Sequence, residues 1–199
     1  VERLARGLAS RDALDVGMLM YPRYGTGIWG AACYAAAVAE ALKKDATRDS
    51  VIEAATKYGG PIAGWVEQVM SVARQCKDAF ELRNQVTPWF QGWPMWAEEN
   101  IPVSLGIFYL TSDDLKTAIL AGVNWGRDTD CQAAMAAGLV GALSGRANIP
   151  QRWIDIVEEA TRKSQVTLYR RTMEEEARGL YEAVKNNIES LRKQVASLD

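Results

Sequence analysis

Apolar residues recur every three or four positions along almost the whole chain, which is the period of a helix with one buried face. No stretch shows the sustained alternation or β-branched runs of a strand. Residues 2 to 19 set Leu4, Leu8 and Ala9 on one face before Tyr21, Pro22, Arg23, Tyr24 and Gly25 break the pattern. Residues 27 to 44 carry alanine at 31, 32, 35, 36, 37, 39 and 41, and side chains this small predict a helix packed closely on several sides. Thr47 or Asp49 is expected to cap a helix over 50 to 58, ended by Gly59, Gly60 and Pro61. A longer amphipathic helix is predicted from 62 to about 83, with Trp65, Val69, Val72, Cys76 and Phe80 as its core stripe. Further helices are predicted over 102 to 111, 113 to 124, 130 to 144 and 151 to 164, with Ser112 capping the one that starts near Asp113. In the tail, 170 to 199, Tyr169, Met173, Ala177, Leu180, Tyr181, Val184, Ile188 and Leu191 keep helical spacing between charges. One such stripe normally finds a face of its own domain, so the tail is expected to dock on the body formed by 1 to 165. The fold class is all-α.

Composition narrows the function classes. The 199 residues are 48% hydrophobic and 24% charged, enough for a sizeable core. With 23 Lys and Arg against 25 Asp and Glu the net charge is -2, so no broad basic surface advertises nucleic acid or an anionic membrane. Three widely spaced cysteines, Cys33, Cys76 and Cys131, favour reduced thiols over a disulfide framework or a zinc site. No apolar run approaches the roughly 20 residues of a membrane span, and no signal-peptide pattern opens the chain. The expected location is cytoplasmic.

Chemistry concentrates where Asn124, Trp125, Gly126, Arg127, Asp128, Thr129, Asp130 and Cys131 lead into a helix of small residues. Side chains two apart diverge on a helix, so Asp128 and Asp130 act together only if they sit on the turn that precedes it, and Gly126 permits such a turn. One reading makes Asp128 the helix cap and Asp130 a first-turn charge on the positive end of the helix dipole. The other makes the pair half of a site for a hard divalent cation, since paired oxygen anions suit Mg²⁺, Mn²⁺ or Ca²⁺ and the chain has no histidine to favour a softer metal. A second region, 87 to 96, places Trp89, Phe90, Trp93 and Trp96 in one loop. Such rings stack on an adenine or line a sugar cleft; burial as a plug that closes the core is the commoner use, and the one expected here.

The order and spacing of several segments resemble the ADP-ribosylglycohydrolase family: Ala-Glu-Glu-Asn-Ile-Pro at 97 to 102, Gly-Arg-Asp-Thr-Asp at 126 to 130, an Ala/Gly-rich helix, and Ile-Pro-Gln-Arg-Trp at 149 to 153. The stretch from 22 to 40 is similar as well, so the likeness covers most of 1 to 160. It implies a compact orthogonal helical bundle of that family's type. It also implies hydrolysis of the glycosidic bond between ADP-ribose and an amino-acid side chain or related acceptor, with Asp128, Asp130 and Cys131 at the ligand positions for Mg²⁺ (or Mn²⁺). Gly126 and Arg127 would shape the loop against the ribose. The implied partners are an ADP-ribosylated protein or another ADP-ribose conjugate. Two departures stand out. Cys131 occupies a position where the common form of the motif has threonine, and the family's early Thr-Asp-Asp motif is not found in its place, Thr111, Ser112, Asp113 and Asp114 being only an echo of it. The chain is therefore expected to be the carboxy-terminal portion of a longer protein, or to complete its site with a missing amino-terminal segment or partner chain. No general base is assigned. The alternatives are an inactive relative that keeps the fold as a binding or structural protein, and a helical scaffold in which the acidic pair is merely a cap.

Overall fold

The computed structural model describes residues 2–20, 25–166 and 170–197. Among them are ten α-helices and no strand, so the all-α reading holds. The break placed at 21 to 24 and the tail position Tyr169 lie outside the described residues. The chain divides into two compact units, Val1–Asn148 and Ile149–Asp199.

The first unit holds α1 (Glu2–Met20), α2 (Thr26–Ala41), α3 (Arg48–Tyr58), α4 (Ala63–Ala73), α5 (Ala79–Val86), α6 (Ala97–Thr111), α7 (Leu115–Val123) and α8 (Thr129–Ser144). Its centre is α6, whose residues from Glu99 to Phe108 are all buried. A helix apolar on every side must be enclosed, and α6 packs against α2, α4, α7 and α8. The alanine-rich α2 behaves as its composition predicts: Ala32, Cys33, Ala36 and Ala37 are fully buried, and the helix touches α1, α3, α6 and α8. Tyr34 of α2 donates its hydroxyl to the Met135 carbonyl of α8 at 3.0 Å over Gly138, where a Cβ would come within 2.7 Å of that hydroxyl.

Several local expectations are corrected. The helix expected over 62 to 83 is two. Asp78 accepts from the Glu81 amide at 2.8 Å and Glu81 from the Lys77 amide at 2.9 Å, a cap that restarts the chain as α5. The expected core stripe is broken with it, because Phe80 ends 60% exposed while Val69 and Cys76 stay buried. Thr47, with Ser50 in a reciprocal capping box, starts α3; Asp49 sits in its first turn. The cap of α7 is Asp114, whose Oδ1 accepts from the Thr117 amide at 3.0 Å, and Ser112 instead ends α6.

The correction that matters most for the site is the start of α6. Proline at 102 marks a helix beginning in sequence terms, yet the helix begins at Ala97 and runs through Pro102. Proline forfeits one backbone hydrogen bond there, and burial on all sides of α6 outweighs it. Glu98, Glu99 and Asn100 thereby become consecutive residues of a first helical turn.

The second unit holds α9 (Gln151–Lys163) and α10 (Met173–Ala196). Thr172 and Glu175 form a capping box that starts α10, and the Met173 amide donates to Glu158 of α9 at 3.3 Å.

Candidate functional site

The site grows from the turn between α7 and α8. Gly122 near the end of α7 presses on α8 so closely that a Cβ would lie 2.4 Å from the Ala133 Cα. This contact sets two helices almost backbone to backbone and forces the five intervening residues into a tight loop. Trp125, 1% exposed, anchors the loop in the core. Arg83 of α5 donates from Nε to the Trp125 carbonyl. Gly126 follows with φ at 91°, a left-handed conformation that a side chain would strain. The turn that glycine was expected to permit is the one that forms.

The next two residues are held by adjacent residues of α6. Arg127 donates from Nε and Nη2 to the two carboxylate oxygens of Glu99, the second at 2.9 Å, and from Nη2 to the Gly92 carbonyl at 2.9 Å. Glu99 is 1% exposed. Its hydrogen bonds hold the Arg127 guanidinium above its already high ordinary value, so the cation of this planar two-point pair keeps its charge. Asp128 accepts at Oδ2 from Asn100 Nδ2, which also donates to the Pro94 carbonyl at 3.1 Å. Gln132 of α8, fully buried, donates from Nε2 to Asn100 Oδ1 at 3.1 Å. Its own Oε1 is buried without a hydrogen-bond partner among the described residues, an acceptor the side-chain network does not satisfy.

Asp128 occupies the cap position of α8, but its side chain makes no capping hydrogen bond. The cap reading therefore does not describe this carboxylate; it turns to Asn100 instead. Asp130 lies in the first turn of α8. A carboxylate oxygen of Asp128, one of Asp130 and the Cys131 sulfur all fall within 4.8 Å of one another, with Asp128 partly buried and the other two exposed. Two carboxylates in such reach suit a hard cation and would supply part of its octahedral set. The thiol fits less well. Burial first, then a hydrogen bond to Asp128 and the negative charge of both aspartates, push Cys131 up from its ordinary value. Sulfur is in any case a soft donor and a poor match for Mg²⁺.

At the start of α6 lies a cleft of about 260 Å³, lined by Trp65, Trp89, Phe90, Trp93 and Trp96, with Glu98 and Glu99 on its wall. The expected core plug is not what forms. Trp89 is 40%, Trp93 64% and Trp96 56% exposed, and of the loop's four rings Phe90 alone is buried. The loop spends its rings on lining a surface cleft rather than filling the interior.

Sequence reasoning named Gly126, Arg127, Asp128, Asp130 and Cys131, and the structure brings all five to one loop and the helix turn after it. It missed Arg83, Glu99, Asn100 and Gln132, which fix that loop. Glu99 and Asn100 stood in the quoted Ala-Glu-Glu-Asn-Ile-Pro segment, and reading acids into the first turn of a helix would have marked Glu99 but not Asn100.

The sequence model of the ADP-ribosylglycohydrolase family matches residues 6–189, so the chain belongs to that family. Its members are glycohydrolases of ADP-ribose conjugates and generally depend on a metal ion. No curated protein and no solved structure matches the chain. No described helix is long and apolar enough to cross a membrane.

Proposed function

We propose that this chain is a metal-dependent hydrolase that cleaves the glycosidic bond of an ADP-ribosylated protein or a related ADP-ribose conjugate. The observation that carries the reading is the carboxylate of Asp128, which stands at a helix cap position, declines the cap, and is held by Asn100 within reach of Asp130. In this reading Asp128 and Asp130 hold Mg²⁺ or Mn²⁺, with Cys131 at the third ligand position, and Gly126 and Arg127 shape the loop against the ribose. A hard cation there would polarise the substrate's hydroxyl and phosphate oxygens and lower the cost of charge developing at the anomeric carbon. The protein residues supply position. Asn100, itself fixed by Gln132, orients one carboxylate oxygen of Asp128. The Glu99–Arg127 pair clamps the backbone on which Asp128 is carried.

A second reading keeps the fold without the reaction, as a binding or structural protein, and is favoured by Cys131, a soft sulfur at the third ligand position. Calorimetric titration of Mg²⁺ and Mn²⁺ into the full chain and its Asp128→Ala and Asp130→Ala variants tests the site. Saturable heat in the parent that is lost in both variants is expected; equal heats in all three would refute the assignment. Ion-dependent release of ADP-ribose from a modified protein, absent in the same variants, then separates the enzyme from the inactive relative.

A further inference from the structure

We propose that α10 is a self-association element, which pairs with α10 of a second copy of this chain as a parallel two-stranded coiled coil. Nothing in this pairing depends on the activity proposed above.

Every residue of α10 is exposed, Leu180, Tyr181, Val184, Ile188, Leu191 and Val195 among them, so nothing within the second unit covers its apolar stripe. The helix is 24 residues, about 36 Å, long. Helices of this kind draw most of their stability from packing such a stripe against a partner. From Ala177 onward the apolar positions are 177, 181, 184, 188, 191 and 195, in alternating steps of four and three. That is a seven-residue repeat with Ala177, Val184 and Leu191 at d and Tyr181, Ile188 and Val195 at a. A helix that lies on the body of its own domain carries a wider stripe, whereas a strict a and d seam is the mark of a coiled coil. Met173 and Leu180 widen the stripe at g in its first half, and Asn187 and Gln194 take the g positions in its second, leaving a and d alone. The outer positions hold Glu182, Ala183, Asn186, Glu189, Ser190 and Lys193, polar or small, so one partner helix covers all that is apolar. β-branched Ile188 and Val195 at a, with Leu191 at d, favour two strands.

Charge selects the occupant and its direction. The e positions are Arg178, Lys185 and Arg192, all cationic, while the g positions Met173, Leu180, Asn187 and Gln194 are all neutral. In a parallel pair of identical helices each e position faces a g position of the partner, so every cation meets a neutral side chain and lays its aliphatic stem along the seam. An antiparallel pair that fills the same layers sets Arg178 opposite Arg192 and Lys185 opposite its own copy, a row of like charges. Arg178 donates to Glu174 at 3.0 Å and Lys185 to Glu182 at 3.3 Å within the same helix, which tempers that conflict but leaves Arg192 uncompensated among the described residues.

Sedimentation equilibrium of the full chain, from about 1 μM to about 1 mM so as to span weak and moderate affinities, should show a reversible monomer–dimer transition. Ile188→Lys puts two cations into one buried layer and should weaken the dimer at least about a hundredfold. Asn186→Lys adds the same charge on the outer face and should change it by no more than about twofold. All seven tryptophans lie outside α10, so a fluorescence melt at monomer concentration reports the rest of the fold and should be the same in both variants as in the parent. Direction is read with Ala177→Cys under mild oxidation, the parent with its exposed Cys131 serving as control. A parallel pair sets the two 177 positions in one layer and should give a dimer-dependent disulfide; an antiparallel pair parts them by about 27 Å, far beyond reach. A chain that stays monomeric across the whole range, a dimer that survives Ile188→Lys, or a mass of three or more copies would overturn the proposal. So would the absence of any disulfide beyond the parent's. A lower melt in Ile188→Lys with no change of mass would overturn it as well, by showing that the stripe docks on its own chain.

Discussion

Replacing Arg127 with methionine removes the guanidinium while keeping much of the aliphatic volume, and the cost follows from where Glu99 sits. The Glu99 side chain is 2% exposed, and no donor other than Arg127 reaches its carboxylate among the described residues. Breaking a buried pair from one side leaves a charge with neither water nor partner, typically a loss of about 3 to 5 kcal/mol. Arg127 is 21% exposed, so water can reach toward the vacated position and the low end applies, about 3 kcal/mol. The lost hydrogen bond to Gly92 adds about 1 kcal/mol. For a chain of this length each kcal/mol moves the midpoint by roughly 2 to 4 °C, so Arg127→Met should melt roughly 8 to 16 °C lower. Urea titration and calorimetry measure both quantities. The diagnostic variant is the double one, Arg127→Met with Glu99→Gln, which replaces the stranded carboxylate by a neutral amide. It should be about 2 kcal/mol more stable than the sum of the single losses predicts. A loss below about 1 kcal/mol for Arg127→Met, or strict additivity in the double variant, would show that the pair does not hold the loop as argued.

Two further outcomes follow from the loop's supports. Gly122→Ala drives a methyl into the Ala133 backbone, which cannot turn aside as a side chain would; it should cost about 2 to 3 kcal/mol in urea titration and weaken Mg²⁺ binding at the displaced loop. A neutral effect would mean that α7 and α8 are not locked at this point. Asp114→Ala removes the α7 cap and should cost about 1 kcal/mol near neutral pH. Hydrogen bonds from Thr117 hold the Asp114 carboxyl below its ordinary 3.8, so its contribution is present above that pH and is lost as pH falls through the lower folded value. The gap between parent and variant should therefore close in acid, and a gap of constant size from neutral to strongly acid pH would contradict the capping account.

The reach of sequence reasoning differed between the helices and what joins them. Periodicity located the helices because burial of one face is a local arithmetic, and it failed where two elements compete for the same residues. Past Ala73 the apolar spacing continued while α4 ended and the Asp78 cap started a new helix, and at 102 a proline that normally begins a helix was carried inside one. The first outcome is set by a local cap that outweighs the apolar spacing, the second by what packs around α6.

The same division runs through the site. Gly126, the paired aspartates and the small-residue helix behind them are written in order along one stretch, because a left-handed turn needs glycine and a close helix contact needs alanine and glycine wherever the chain puts them. What those aspartates face was settled elsewhere. Asn100 and Glu99 lie 28 residues upstream of the partners they hold, and nothing local to either segment announces the pairing. The aromatic loop shows this most plainly, since four large rings in a row read as core by hydrophobicity alone. Whether they fill an interior or ring a cleft depends on whether the interior is already full, and here α4 and α6 pack on each other and leave the indoles outside. Composition and spacing determined which side chains were present and which helices carried them; the packing of those helices decided which polar groups meet and which apolar ones stay in water, because burial is a property of the whole assembly of neighbours.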